Sequence, residues 1–433
     1  MEIKELYLEN FRGFENLKIN FSSKLAVFIG RNGAGKSSVL DAIAILLNQY
    51  DSFFKNEIFR EITDNDINTK FNKAILQIII NASNKSYSWS QEKQKNNNHL
   101  IHQNNKGLED FKKNSFQELY KIRESGTVPD VRDAMPNFKY IYRYYESSRA
   151  LYINEKTKPN YKDSVKSDNF NEFLEWFEIY ENLENEVRLR KDINYKLPAL
   201  ENVRKTIQTF FGNLSNADFN DLRIVRVQNN LVPNLTPAFV INKGNIELRL
   251  EQLSDGEKMA LMIVVDIARS LVTANPESKD ALNGIGIVLI DEIELHLHPS
   301  WQREIIPALT KTFPNVQFIV STHSPQVLSN VAGKDVFIIE DFKLINENIF
   351  TKGRDSNSIL YDIFGEEKRP KEYKEKIYNL YESIEKGNKK KAAKLLGELR
   401  EKFGNNDVEI QRALMYFEDL EEADEVHKKA SKK

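Results

Sequence analysis

Eight residues, Gly30-Arg31-Asn32-Gly33-Ala34-Gly35-Lys36-Ser37, sit between a short apolar run, Leu25–Ile29, and a stretch whose apolar residues recur at helical spacing. Glycines let successive backbone N–H groups turn inward around an anion, and a helix opening at Lys36 adds the positive end of its dipole. A lysine followed by a hydroxyl at that point suits a triphosphate: Lys36 reaches the β- and γ-phosphates, and the Ser37 hydroxyl ligates Mg2+. ATP and Mg2+ are the ligands this chemistry asks for, with Gly30, Asn32, Gly33, Gly35, Lys36, Ser37 and Ser38 as candidate contacts. A second segment, Ile285–Ile290, is apolar and ends in Asp291 and Glu292. Beside a bound triphosphate, Asp291 would hold the metal through water and Glu292 would act as base or orienter for the attacking water. In a third, Leu253-Ser254-Asp255-Gly256-Glu257, Ser254 reads as an N-cap with Glu257 three residues on, a capping box. A serine hydroxyl and glycine N–H at a helix start also make an anion site. Finally, an apolar run ends at His323, which by itself reads as a histidine satisfied at a strand end.

The elements that must position these residues are legible from periodicity. Residues 36–49 carry Val39, Leu40, Ile43, Leu46 and Leu47, a helical pattern, and 75–80 is a strand candidate. Residues 91–114 are polar and Asn-rich and read as a solvated loop or excursion. Residues 115–213 are mostly helical in pattern. Within them, 169–190 carry a stripe of Phe170, Phe173, Leu174, Phe177, Tyr180, Leu183 and Val187, read as core packing of a helical insertion or as a short arm for a partner. Strands return at 222–227, 238–241 and 246–250, and a helix follows from near Gly256 to Val272. Two buried strands, Ile285–Ile290 and 316–320, flank a helix at 299–313, and Val336–Glu340 is a last strand. From Lys371 onward the pattern is helical and charged, with lysine clusters at 389–391 and 428–433 that read as solvated faces.

A chain of 433 residues is too long for one ordinary core and implies two or three structural units. The formal charge of −2 gives no global basic field, so contact with nucleic acid would need a local patch or a partner. The absence of cysteine excludes disulfides, thiolate metal sites and cysteine nucleophiles, and fits a reducing cytoplasm. The charged N-terminal stretch lacks a leader-like apolar run, and no segment approaches the roughly 20 apolar residues that cross a bilayer. A cytoplasmic protein without membrane contact is expected.

The phosphate loop, LSDGEK, LIDEIELHLHPSWQREIIP and TFPNVQFIVSTHSPQVL resemble the overcoming-lysogenization and RecF-like branch of ABC-type AAA ATPases. Within it, the likeness is to the ATPase subunit of Septu anti-phage systems and retron-associated relatives. YYESSRAL, FNEFLEWFEIYENLENE and SILYDIFGEEKRP extend it over most of the chain. The resemblance implies an α/β fold: an ABC-type ATPase head of mixed sheets around a phosphate-loop core, with a helical insertion and a helical C-terminal region. The expected divisions are 1–84, 85–221, 222–345 and 346–433. It implies that Asp291 and Glu292 form a Walker B pair, that 253–257 is a signature motif completing a second copy's ATP site through Ser254, Gly256 and Glu257, and that His323 contacts the γ-phosphate. Arg12 is placed near the nucleotide, and Gln77 is a candidate for the glutamine loop. Glu294-Leu295-His296-Leu297-His298 has two histidines that suit zinc, yet it falls where such heads place a dimer-interface loop and no further ligands stand out.

The implied function is an ATP-hydrolysing, homodimeric or larger regulatory subunit that controls a separately encoded HNH nuclease. No Asp-x-Asp follows an apolar strand after His323, so cleavage within this chain is not expected. Three other functions fit parts of the sequence: a RecF- or SMC-like repair head binding DNA directly, a transporter nucleotide-binding subunit, and a non-hydrolysing nucleotide sensor.

Overall fold

The computed structural model describes residues 1–55, 61–96, 106–124, 140–147, 168–229, 232–276, 278, 280–345, 349–367 and 369–430. It divides into two compact units, Met1–Ile359 and Leu360–Lys433. The larger begins with β1 (Glu2–Phe11), β2 (Phe14–Asn20), β3 (Leu25–Ile29) and α1 (Lys36–Lys55), then β4 (Lys73–Ala82), β5 (Lys85–Gln94), α2 (Lys106–Glu124) and β6 (Tyr140–Tyr145). The helices α3 (Asp168–Arg190) and α4 (Pro198–Phe211) lead into β7 (Phe219–Asn229), β8 (Val232–Lys243) and β9 (Ile246–Arg249). Then come α5 (Asp255–Ala274), β10 (Ile285–Ile290), α6 (Pro299–Thr312), β11 (Val316–Ser321), α7 (Pro325–Leu328), β12 (Val336–Glu340), β13 (Lys343–Ile345) and α8 (Ser356–Asp362), whose last residues open the second unit.

One antiparallel sheet has the order β2-β1-β4-β5; the other runs β13-β12-β3-β11-β10-β6, parallel from β12 to β6. Between the two lies α1, contacting β4 and β5 on one side and β10, β11 and β6 on the other. That placement explains its composition: Val39, Leu40, Ala42, Ile43, Ile45, Leu46 and Leu47 are all buried, and a helix that is apolar all round belongs in an interior. In the parallel sheet β3 and β10 are apolar runs, and every residue of β11 is buried, Gln317 and Ser321 included, because both faces are covered.

The stretch 85–221 supplies more than helices. Within it β5 completes the first sheet and β6 pairs with β10 in the second. The polar stretch 91–114 is also not simply loop. It contains the end of β5 and the start of α2, where Leu108 and Phe111 are buried against Tyr50, Tyr87 and Trp89. Two apolar residues among many polar ones suffice to dock one helix face. In α3, Phe173 and Phe177 are buried, whereas Leu183 is exposed, so the stripe is only partly core. Buried Glu181 and Glu184 on α3 both receive Arg204 from α4, at 3.1 and 2.9 Å, which ties the two helices together.

The second unit holds α9 (Lys371–Glu385), α10 (Lys389–Phe403) and α11 (Val408–Ala430). It has its own core of Leu380, Ile384, Ala392, Leu396, Leu399, Ile410 and Ala413. Residues 148–151 of YYESSRAL and 431–433 of the terminal lysine cluster lie outside the described residues. Among the described residues no helix is long and apolar enough to cross a membrane.

Candidate functional site

Three neighbouring parallel strands, β3, β11 and β10, end at the same edge of the sheet. The phosphate loop follows β3, Thr322 and His323 follow β11, and Asp291 and Glu292 follow β10. Ligands of α/β sheets bind at such carboxyl ends, where loops and helix starts replace strand pairing.

The loop is built from conformations that its glycines allow. Gly30, Gly33 and Gly35 have φ of 148°, 80° and 113°. A Cβ on Gly30 would lie 2.1 Å from the Ile339 carbonyl, and one on Gly35 would lie 2.6 Å from the Phe14 ring. The turn from β12 to β13 braces the loop from behind: Phe342 stands edge-on to Phe14 at 5.4 Å, and its N–H donates to the Ala34 carbonyl at 3.2 Å. Asn32, Gly33 and Ser37 remain exposed, while Lys36 is buried and donates to the carbonyls of Gly30 and Arg31 at 3.0 and 3.2 Å. Gly30→Ala combines a clash with a left-handed φ, costing about 1–3 kcal/mol in strain alone. We expect it to weaken ATP binding by about tenfold or more in a fluorescent-analogue titration; unchanged affinity would show that the loop is not the binding element.

The acidic side is fixed by Ser321, at the end of β11. Its hydroxyl donates to Asp291 Oδ1 and accepts the Glu292 N–H at 2.8 Å. Asp291 is buried, its N–H held by the Tyr145 carbonyl on β6. Glu292 takes a φ of 50°, a conformation that side-chain-bearing residues adopt at a cost and that recurs at functional positions. Glu294 accepts the Thr322 hydroxyl at 2.7 Å and the His323 N–H at 2.6 Å, locking the His323 backbone to the Asp291 segment.

Burial pulls the Lys36 ammonium below its ordinary value, while Asp291, Glu292 and Glu294 oppose that shift. Burial, then the Lys36 charge, lowers the His323 imidazole against the same three acids. A neutral imidazole can accept or donate one hydrogen bond at a phosphate oxygen. The oxygen donors Ser37 and Asp291 are the hard ligands that Mg2+ prefers.

Arg12 approaches α1 from the strand sheet. Its Nη1 donates to Asp41 Oδ2 at 2.6 Å and to Ser38 Oγ at 3.2 Å, and its Nε donates to Asp66 at 2.9 Å. Burial alone would raise the Asp66 carboxyl; Thr63 and Arg12 outweigh it and hold Asp66 below its ordinary value. On the opposite side the Tyr144 hydroxyl donates to Asp41 Oδ1 at 2.9 Å. Burial, with Asp41 and Asp291, keeps that phenol protonated far above its usual range.

The segment 253–257 forms the expected cap. The Glu257 N–H donates to Ser254 Oγ, and Glu257 Oε2 accepts both the Ser254 N–H and hydroxyl at 2.8 Å. Glu257 also receives Lys243 at 2.5 Å. Ser254 is exposed; Gly256 is buried, and a Cβ there would lie 2.4 Å from the His296 carbonyl. Gly256 therefore lets the loop after Asp291 pack on the start of α5. None of the described contacts joins Ser254 or Glu257 to the phosphate loop of the same chain. His298 caps α6 by accepting the Ser300 N–H. Gln77 lies on β4 with its amide on the Ser88 hydroxyl, and the structure does not bring it to the loop.

Asp41, Asp66, Tyr144 and Ser321 were given no role from the sequence, and Glu294 was weighed only as the acid beside two histidines. Only Ser321 and Glu294 carried a signal, being within three residues of His323 and Glu292.

The chain is 28% identical to a retron Ec83 probable ATPase from Escherichia coli, over 94% of this chain and 85% of that protein. It is 29% identical to a retron Vc95 probable ATPase from Vibrio cholerae, over 89% and 84%. It is 25% identical to the Septu protein PtuA from Bacillus thuringiensis, over 90% and 91%. The family described as AAA ATPase domain matches residues 1–328, which include the phosphate loop, Ser254, the Asp291–Glu292 pair and His323, and the chain belongs to that family.

Proposed function

We propose that this chain is the ATP-hydrolysing regulatory subunit of a two-component anti-phage system, closing as a homodimer around Mg-ATP and controlling a separately encoded HNH nuclease. The observation that carries the reading is the convergence of the phosphate loop, Asp291, Glu292 and His323 at the ends of three adjacent strands, with Ser254 exposed elsewhere on the same unit. Relatives named as probable retron ATPases and a Septu protein supply the biological setting.

In this reading the loop N–H groups and Lys36 bind the phosphates. Ser37 and Asp291 hold Mg2+, which when bound screens the charge that develops on the transferred phosphoryl group. Glu292 takes the proton of the attacking water, and neutral His323 bonds a γ-phosphate oxygen. Ser254 at the α5 N-terminus of one copy meets the phosphates held by the other, so closure requires the nucleotide. Opening follows hydrolysis, and the nuclease subunit responds to that cycle.

The test is ATP-dependent dimerisation in the Glu292→Gln background, followed by light scattering. The parent dimerises with Mg-ATP, and adding Ser254→Arg abolishes that dimer while leaving ATP binding by the monomer within about twofold, because the arginine obstructs only the surface presented to the other copy. Undiminished dimerisation of the Ser254→Arg protein would sink the sandwich.

A further inference from the structure

Tyr144 and Tyr145 are consecutive on β6, so their phenols leave opposite faces of the sheet. Tyr145 is buried and donates to Asp266 on α5 at 2.8 Å. Tyr144 donates to Asp41 on α1 at 2.9 Å. Asp41 lies one turn after Ser37, and residues four apart share a helix face. The other Asp41 oxygen takes Arg12 at 2.6 Å, so two donors from different elements pin this one carboxylate. The same strand also governs the acidic side: Ile290 pairs with Tyr145, and the Tyr145 carbonyl accepts the Asp291 N–H at 2.8 Å. A single strand thus grips the Asp291 backbone directly and the Ser37 helix through one hydroxyl.

We propose that Tyr144 is a positioning residue for Mg-ATP: through Asp41 its hydroxyl sets the turn of α1 that carries Ser37 against Asp291. The inference rests on the reading that Ser37 and Asp291 face the metal. Mg2+ tolerates little departure from octahedral geometry, so a small displacement of Ser37 from Asp291 costs metal affinity before it costs nucleotide affinity. The loop N–H groups and Lys36 do not depend on this hydroxyl.

Tyr144→Phe keeps the ring and removes the donor. In the full-length protein, a fluorescent ATP analogue is titrated in EDTA and then across a Mg2+ series. Affinity in EDTA stays within about twofold, and the Mg2+ midpoint rises about tenfold, as expected when a partner of a metal ligand is lost. Asp41→Asn also weakens the Arg12 ion pair and raises the midpoint at least as much, and adding Tyr144→Phe to it changes the midpoint little, since the hydroxyl acts through Asp41. Tyr145→Phe deletes the hydroxyl on the other face; it lowers the thermal midpoint and leaves the Mg2+ response as in the parent. A parental Mg2+ midpoint in Tyr144→Phe, or an equal rise in Tyr145→Phe, overturns the assignment, provided that Ser37→Ala and Asp291→Asn raise the midpoint. If those two leave it unmoved, the metal is held elsewhere and the underlying reading fails with the inference.

Discussion

Glu292→Gln lowers ATP turnover by about 10²- to 10⁴-fold, the range expected when a positioned general base is removed, while Mg-ATP still binds. The substitution preserves size and hydrogen-bonding shape but cannot take a proton from water. Three other groups are near enough to be rivals, and the structure gives each a different task. Asp291 is buried and receives the Ser321 hydroxyl, and its hard oxygens suit metal binding. Glu294 is engaged by the Thr322 hydroxyl and the His323 N–H. The His323 imidazole is pushed down by burial and by Lys36, which makes it a poor proton acceptor. Glu292 alone combines a partly exposed carboxylate with a left-handed backbone, held there by the Ser321 hydroxyl on its N–H. The loss should therefore appear in kcat with KM little changed, the mark of an interaction made in the transition state. Steady-state turnover and analogue binding on the same preparation decide it. Turnover within about threefold of the parent would move the base to another residue.

What could be read in the sequence and what could not divides on chain distance. The phosphate loop, the Asp291–Glu292 pair and the Ser254 cap each consist of a few consecutive residues at a strand or helix end, where local chemistry dictates residue type. Their convergence follows from strand order, which apolar runs alone leave open. Asp41 was invisible because its meaning comes from Tyr144, 103 residues away, and from Arg12, 29 residues away. Gln77 was chosen by position along the chain, but its strand belongs to the other sheet, where a hydrogen bond to the Ser88 hydroxyl on the neighbouring strand settles its side chain. The polar run 91–114 concealed Phe111, which enters the interior because α2 docks on β5 and not because its neighbours are apolar. Gly256 illustrates two demands on one residue: the anion-site reading asks for an open N–H, and the packing of His296 asks for the absence of a Cβ.

Asp266→Ala is expected to be the most destabilising of these substitutions, at about 3–5 kcal/mol, because it breaks a buried charge network by removing one partner. Asp266 is fully buried on α5 and accepts three donors: the Tyr145 hydroxyl at 2.8 Å, Arg143 Nε at 3.1 Å and Arg269 Nη2 at 3.2 Å. Arg143 and Tyr145 both come from β6, so this carboxylate fastens α5 to the edge strand beside β10. Without it, two largely buried guanidiniums lose the carboxylate they share, while Glu172 still pairs Arg269. The cost is that of removing one partner from buried charges and not the worth of the network. A second variant separates the two: Arg143→Met, Asp266→Leu and Arg269→Met together remove every charge and should recover most of the loss, as replacement of buried ion networks by apolar groups does. Urea denaturation of the full-length protein, followed by the transition of the larger unit, measures both. A loss below about 1 kcal/mol for Asp266→Ala would mean that water reaches the cations. Failure of the triple variant to recover would mean that the charges themselves hold α5 on β6. In that case the Ser254 surface owes its placement to the same strand that carries Tyr144.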